Sequence, residues 1–508
     1  MKDYKTRKRI EITIIDVERM SSKGMEENGM RTAIERKKFY INGEWVEAKM
    51  YTKLLSPYSS EVLAEIPLAT ERDVKQAIAA AYEARQVMAK MPAHERAAIL
   101  EKVVALLQQR ANEAATIIAK EAAKPITTAK AEVARTIQTY KFAAEEAKRI
   151  HGETIPLDAA PGGEHRVAFT VREPIGVIGA ITPFNFPMNL VAHKLGPAIA
   201  AGNTVVLKPA SQTPLSAYFI AELFEQAGLP NGALNVVTGS GKTVGDQIVT
   251  DSRVRMITFT GSPEVGIAIR NKAGLKRVTL ELGSNSAVII DEQVDIERII
   301  PRCVVGAFSF QGQVCISLQR IYVHEKRYKE FVEKFVAAVK QLKVGDPLDP
   351  KTDISALISE KDVERSLEWI EEAKRGGAVV AIGGERQGNI LLPTVILDAA
   401  PTMKVSCQEV FAPIVLINQV SSVDEAIDLV NDSRYGLQAG IYTDNVHTAW
   451  EAAEKLHVGG VIINDIPTFR VDHMPYGGVK ESGFGREGIR YAIEEMTELK
   501  LIIFNRNR

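Results

Sequence analysis

Ile175-Gly-Val-Ile-Gly-Ala-Ile181 carries no charge over seven residues and reads as a strand buried on both faces. The segments after it repeat the pattern. A helix is expected over 190–201, and Asn203-Thr-Val-Val-Leu207 is the next strand. Another helix is expected over 215–227, and Leu234-Asn-Val-Val237 and Arg255-Met-Ile-Thr-Phe259 are two more strands. The stretches 244–249 and 263–273 supply the crossovers. Continuous apolar strands joined through helices imply a parallel sheet covered on both faces, an α/β fold. Such sheets bind ligands where loops leave the C-terminal ends of the strands.

Upstream, Lys38-Phe-Tyr-Ile-Asn-Gly-Glu-Trp-Val46 reads as a hairpin turning at Asn42-Gly43. Helical periodicity continues over 72–88, 95–123 and 131–150. The stretch 151–170 is extended and punctuated by Gly and Pro. Downstream, a second alternating series runs over about 287–464, with strands expected at 286–290, 320–324, 413–420 and 460–463. Helices at 327–343, 361–375, 423–432 and 448–456 separate them. The tail, Leu499-Lys-Leu-Ile-Ile-Phe504, reads as a strand whose partner lies in another domain or another subunit.

Length and composition set the outer limits. A chain of 508 residues exceeds one core and implies two or three domains. Hydrophobic content of 45% with 25% charged residues is ordinary for a globular protein. The formal net charge of −1 offers no field for nucleic acid or an anionic membrane. No apolar run approaches the ~20 residues that span a bilayer. Three cysteines, 303, 315 and 407, are too few for a disulfide framework and fit a reducing compartment, the cytoplasm. Neither cysteines nor histidines show metal-ligand spacing, so no metal is expected. Residues 1–30 lack a sustained period and are expected to form a disordered tail, unless translation begins at Met25 or Met30.

The chemistry centres on Phe308-Ser-Phe-Gln-Gly-Gln-Val-Cys-Ile-Ser317. It places Cys315 on a turn between an expected helix and an expected strand, where a substrate can reach the thiol. Four polar sets stand at the ends of expected strands. In Thr182-Pro-Phe-Asn-Phe-Pro187, Asn185 can donate N–H bonds to an anion, although an Asx-turn explains a lone Asn equally well. Lys208-Pro-Ala-Ser211 offers a cation that is either solvated or a partner for hydroxyl and phosphate groups. Phe259-Thr-Gly-Ser-Pro-Glu-Val-Gly266 opens a helix whose free N–H groups suit a pyrophosphate, though without the full G-x-G-x-x-G spacing. In Leu280-Glu-Leu-Gly-Ser284 a glutamate sits between leucines, awkward if buried unless its charge is used or suppressed.

These sets, with Glu409-Val-Phe-Ala-Pro413 and Pro475-Tyr-Gly-Gly-Val-Lys480, make seven motifs in one order that together resemble the aldehyde dehydrogenase superfamily from about Phe39 onward. The resemblance implies that Cys315 attacks the aldehyde to give a thiohemiacetal. Asn185 and the Cys315 N–H would form the oxyanion hole. Hydride would pass to NAD or NADP, and Glu281 would activate the water that hydrolyses the thioester. Lys208 and Glu409 would hold the two riboses and Ser262 would face the pyrophosphate. Thr182, Phe184, Ser211, Gly261, Leu282 and Phe411 would complete the dinucleotide site. The implied architecture is a Rossmann-like cofactor domain (31–150 and 171–283), an α/β catalytic domain (284–484) and a β arm (151–170 and 485–508). That arm would assemble a homodimer or homotetramer.

The substrate is read from departures. NAD-preferring members often carry Glu where Ser211 stands, so this chain is expected to accept NADP as well as NAD. Ala412 and Ser284 replace glycines common in the family, both tolerable. Asn189 and His193 take the helix face expected to look into the aldehyde tunnel, which predicts a short polar tunnel for a small hydroxylated or carboxylated aldehyde. Lactaldehyde and succinate semialdehyde are of this kind. Arg470 would grip an anionic end, unless it is a surface residue or pairs with Asp472. The rival chemistry is acyl transfer to coenzyme A. It needs no general base, so Glu281 speaks for hydrolysis. A silent, fold-retaining binding or structural relative is disfavoured by Cys315, Glu281 and Asn185 occurring together.

Overall fold

The computed structural model describes residues 34–506. Arg36 onward forms one compact unit. The expectations for 1–30 lie outside the described residues. Five parallel strands form the centre of the first sheet, in the order Leu234–Val236, Thr204–Lys208, Val177–Ile181, Val254–Thr260, Arg277–Glu281. The chain enters at the middle strand, Val177–Ile181, and winds outward to one side through the next two. It then returns to lay the last two on the other side. Strand order therefore reverses between Val177–Ile181 and Val254–Thr260, which opens a crevice beyond their C-terminal ends. The hairpin of Phe39–Ile41 and Glu44–Val46 closes one edge, and Gly483–Phe484 the other, both antiparallel. Every residue of Val177–Ile181 and Thr204–Lys208 is buried, as their unbroken apolar runs require.

The second sheet has seven strands in the order Val379–Ile382, Thr394–Leu397, Ile414–Val420, Arg320–His324, Ala287–Ile290, Gln438–Tyr442, Gly460–Ile463. All pairs are parallel except the first. Three of these strands, Val379–Ile382, Thr394–Leu397 and Gln438–Tyr442, are additions to the four expected from sequence. The helical stretch expected over 95–123 is two helices, Ala93–Gln109 and Ala111–Ala122. They break at Arg110, whose guanidinium bonds Glu113 of its own helix and Glu222 of another while lying over Phe219.

A third sheet pairs Thr497–Asn505 antiparallel with Arg166–Pro174 along nine residues, and Thr154–Ile155 lies on the far side. The C-terminal strand thus finds its partner within the chain. Its outer edge has no partner among the described residues and carries the exposed Leu499, Leu501, Ile503 and Phe504.

The turn that carries Cys315 is unusual backbone. The helix Ile296–Phe308 stops, and Phe310, Gln311 and Gly312 come after it with φ of 49°, 54° and 69°. For Phe and Gln this left-handed region costs on the order of 1 kcal/mol each, so surrounding bonds must hold it. Gln311 Nε2 donates to the carbonyls of Ala123 (3.0 Å) and Ala356 (2.9 Å). Gln313 Oε1 accepts from the Ile358 N–H at 3.0 Å. Gly312 packs against the Ala412 carbonyl, which a Cβ would approach to 2.2 Å.

Candidate active site

The crevice at the strand reversal is the mouth of a cavity of about 1050 Å³. Each strand end brings its own residues to the lining. Thr182, Phe184 and Asn185 follow Val177–Ile181, and Lys208 ends Thr204–Lys208. Gly261 and Ser262 follow Val254–Thr260, and Glu281 and Leu282 end the neighbouring strand. The loop before Ile414–Val420 contributes Glu409 and Phe411 from the other sheet, and Cys315 stands at the same cavity. Ser211 sits beside this lining on an exposed loop, its Oγ 3.5 Å from the Gly239 carbonyl. Asn189, His193 and Arg470 lie outside the lining.

The residues present fit a dinucleotide. Ser262 caps the helix Pro263–Ala273, its Oγ accepting from the Val265 N–H at 3.4 Å, so a helix N-terminus faces the cavity. Burial lowers the Lys208 ammonium to about 8 and raises the Glu409 carboxyl to about 7, leaving both short of polar partners. Among the described residues Lys208 Nζ bonds only the Pro209 carbonyl, at 3.2 Å. Glu409 accepts the Ser284 N–H at 3.0 Å, and its carboxylate fills the space over Gly283, where a Cβ would meet it at 2.5 Å. Phe184 and Phe411 meet edge to face at 5.7 Å between centroids.

Around Cys315 the structure is more crowded. The Asn185 Nδ2 donates to the Gln313 carbonyl at 3.1 Å, which turns the carboxamide toward the cysteine loop. Cys315 Sγ lies 3.1 Å from the Tyr476 hydroxyl. Burial pushes the thiol up to about 11, against the pull of Tyr476 and the Arg470 charge. Glu281 is buried, and among the described residues neither carboxylate oxygen has a hydrogen-bond partner. Its proton is held well above the usual carboxylate range, by burial first and then by the charge of Glu487. Burial works against ionisation of Glu487 too, yet Lys194, His193 and Arg470 together bring it to about 2. The surroundings thus favour the protonated form of Glu281 and the ionised form of Glu487.

The substrate expectations meet a buried polar network. Asn189 donates to Asp472 at 3.3 Å and accepts from Thr139 at 2.9 Å. His193 Nε2 lies 2.8 Å from Asp472, and its Nδ1 is 3.6 Å from Glu487. The Arg470 side chain is buried rather than at the surface. Its ion-pair partner is Glu487 at 2.8 Å, because Asp472 is taken by Arg135 and His193. Asn189, His193 and Arg470 are thus linked to one another through Asp472 and Glu487. Arg470 also stacks on Tyr476, 3.6 Å from its ring centroid.

Several residues of this neighbourhood, Glu487 among them, escaped the sequence reading. Tyr476 lies within the Pro-Tyr-Gly-Gly motif, but only the fold reveals its contact with Cys315. Lys194 follows His193 in a helix that is otherwise apolar at that point, and bonds Thr258, Thr260 and Glu487. Lys124 and Glu132 form a fully buried ion pair under the Asn185 loop. A lone lysine after an alanine-rich helix is the only hint of it in the sequence.

The comparisons with known proteins agree with this geometry. The aldehyde dehydrogenase family model matches residues 45–502. The 3-sulfolactaldehyde dehydrogenase of Priestia aryabhattai is 49% identical over 474 residues, 93% of this chain and 99% of that protein. The crystal structure of aldehyde dehydrogenase 21 from Physcomitrella patens, in complex with the reaction product succinate, superposes with a TM-score of 0.91 at 41% identity. The match covers 93% of this chain and 99% of that one. The glyceraldehyde-3-phosphate dehydrogenase GapN of Methanocaldococcus jannaschii, complexed with NADP, gives a TM-score of 0.87 at 40% identity, covering 90% of this chain and 100% of that one. The fold, the crevice and the matched family agree: this chain belongs to the aldehyde dehydrogenase family, and it is an NAD(P)-dependent oxidoreductase acting on aldehydes.

Proposed function

We propose that this protein oxidises a small hydroxylated or anionic aldehyde to its carboxylic acid, with Cys315 as nucleophile. The observation that carries the reading is the meeting of Cys315, Asn185 and Glu281 at the wall of one cavity fit for a dinucleotide. In the first half-reaction Cys315 Sγ bonds to the aldehyde carbon. The oxyanion of the thiohemiacetal is received by Asn185 Nδ2 and the Cys315 N–H. Lys208 and Glu409 would hold the riboses of a dinucleotide and Ser262 its pyrophosphate, and that group would accept the hydride that leaves the thiohemiacetal carbon as the oxyanion collapses to the thioester carbonyl. Thr182, Phe184, Gly261, Leu282 and Phe411 shape the rest of that site. In the second half-reaction Glu281, once ionised, takes a proton from water as the water attacks the thioester.

The substrate class rests on the relatives, a 3-sulfolactaldehyde dehydrogenase and an aldehyde dehydrogenase bound to its product succinate; Asn189, His193 and Arg470 stand behind the cavity lining with their charges paired through Asp472 and Glu487. Lactaldehyde, 3-sulfolactaldehyde and succinate semialdehyde share a short chain and a polar or anionic end. NADP is accepted beside NAD because Ser211 is neutral, and Lys242 lines the cavity next to the Gly239 turn that Ser211 touches. The proposed division is a cofactor domain, a catalytic domain and an arm, with the arm taking in all of Arg166–Pro174, past the expected boundary at 170, because that strand pairs with Thr497–Asn505 along its whole length. The arm joins two or four copies through the Thr497–Asn505 edge, in the cytoplasm. Among the described residues no helix is long and apolar enough to cross a membrane.

The test is a panel of these three aldehydes with propanal as reference, each with NAD and with NADP, on the purified protein. Higher kcat/KM for the polar aldehydes and turnover with both cofactors are expected. Preference for propanal would remove the substrate class. Product formation only with added coenzyme A would replace hydrolysis by acyl transfer.

A further inference from the structure

We infer that Tyr476 is a catalytic residue that sets the ionisation of Cys315 by donating a hydrogen bond to its thiolate. The inference rests on the reading of Cys315 as the nucleophile. The Tyr476 hydroxyl is 3.1 Å from Sγ and has no other hydrogen-bond partner among the described residues. The side chain is buried, so water does not compete for that bond. Its position is fixed from two sides. Tyr476 N donates to the Glu487 carbonyl at 3.1 Å, and Glu487 N donates to the Tyr476 carbonyl at 2.7 Å. The Arg470 guanidinium lies 3.6 Å from the ring centroid, and Glu487 holds it there at 2.8 Å.

The direction of the bond follows from chemistry. Burial, reinforced by the neighbouring thiol, keeps the phenol proton well above its usual range, so Tyr476 remains neutral and offers its O–H. A thiolate has no proton to give, so the bond strengthens when Cys315 ionises and its proton leaves to solvent. A cation against the ring face favours electron withdrawal from the hydroxyl and makes it a better donor. The other charged groups facing the sulfur are Glu281 and Glu409, which raise the thiol when ionised, and Arg470, which lowers it. The same Glu281, Arg470 and Cys315 face the phenol. Burial opposes the reactive form of Cys315, and Tyr476 is the one group hydrogen-bonded to its sulfur among the described residues. A charge-assisted hydrogen bond is among the strong ones.

The experiment measures the ionisation of Cys315 directly, as the pH dependence of its alkylation by iodoacetamide, followed on the Cys315 peptide by mass spectrometry. Tyr476→Phe keeps the ring and removes the hydroxyl. We expect the midpoint to rise by about one to two pH units, the equivalent of one hydrogen bond to a charged group. Replacing Tyr476 with 3,5-difluorotyrosine, a stronger donor, is expected to lower it. Midpoints unmoved in both variants would overturn the inference. If Tyr476→Phe fails to fold, the difluorotyrosine protein decides alone. Cys315→Ser separates the two readings. Retained turnover in that variant would remove Cys315 as nucleophile whatever the alkylation profile shows.

Discussion

Two of the buried carboxylates around the cysteine loop, Glu132 and Glu281, are opposites. Glu132 accepts the Lys124 ammonium and the N–H groups of Met188 (3.0 Å) and Asn189 (3.1 Å). Glu281, also buried, accepts no hydrogen bond among the described residues. The first belongs to architecture. Lys124 also donates to the Asn185 carbonyl at 2.6 Å and lies over the rings of Phe186 and Phe310, 3.8 and 4.2 Å from their centroids. One ion pair thereby braces the loops on both sides of the cysteine. The second, the base of the proposed mechanism, is held without a hydrogen-bond partner among the described residues. A buried polar atom left unsatisfied costs stability, and such a cost persists where the group serves the reaction. The comparison separates residues whose loss unfolds the site from residues whose loss only silences it.

The widest separation is expected at Glu281. Glu281→Gln removes the base while leaving shape and packing, so steady-state turnover is expected to fall by about 10²–10⁴-fold. The burst of reduced dinucleotide from the first half-reaction is expected to persist, as stopped-flow absorbance will show. Folding stability is expected to hold or rise, since no native bond is lost. The pH dependence has a definite sign. Because the folded state raises the Glu281 pKa, the carboxyl favours folding when protonated. That contribution is lost as pH rises toward the raised value, while hydrolysis gains ionised base over the same range. Melting temperatures of native and Glu281→Gln protein are therefore expected to diverge on the alkaline side. A variant that melts early at every pH would mean that Glu281 is structural after all.

Lys124 provides the converse. Lys124→Met leaves Glu132 as a buried charge without its cation, and stability is expected to fall by about 3–5 kcal/mol in denaturant titrations. Lys124→Met with Glu132→Leu removes both charges and is expected to recover part of the loss. Recovery stays incomplete because the Met188 and Asn189 N–H groups lose their acceptor. A single variant that costs under about 1 kcal/mol would erase the distinction between the two carboxylates.

The sequence discloses these two regions unequally. Asn185, Lys208, Ser262 and Glu281 were legible because each is a polar residue just past an apolar run, where a parallel sheet presents its strand ends. The parallel sheet itself was legible from Ile175–Ile181 onward, but not its order. Nothing local says that Leu234–Val236 lies to one side of Val177–Ile181 and Val254–Thr260 to the other, and that reversal makes the crevice. Gln438–Tyr442 escaped because Gln-Ala-Gly-Ile-Tyr has little apolar run of its own. Its burial comes from parallel neighbours on both sides. Lys124 and Glu132 look like solvated charges on alanine-rich helices, and only tertiary packing closes over them. Tyr476 meets a sulfur 161 residues earlier in the chain, a contact no periodicity encodes.

The smallest effect belongs to the far end of the cavity, where neither burial nor ion pairing constrains the side chain. Ser211 is exposed, and its hydroxyl makes one long contact with the Gly239 carbonyl. Ser211→Glu adds a charge there without removing a buried bond, so stability is expected to change by less than about 0.5 kcal/mol. The carboxylate repels a 2′-phosphate and accepts hydrogen bonds from ribose hydroxyls. The kcat/KM ratio of NADP to NAD is accordingly expected to fall by about tenfold, some 1.4 kcal/mol of discrimination. Steady-state kinetics with both cofactors measure it. An unchanged ratio would mean that the dinucleotide's ribose lies out of reach of position 211. Lys242, on the adjoining Gly241–Gly245 turn, would then be left to meet the phosphate alone.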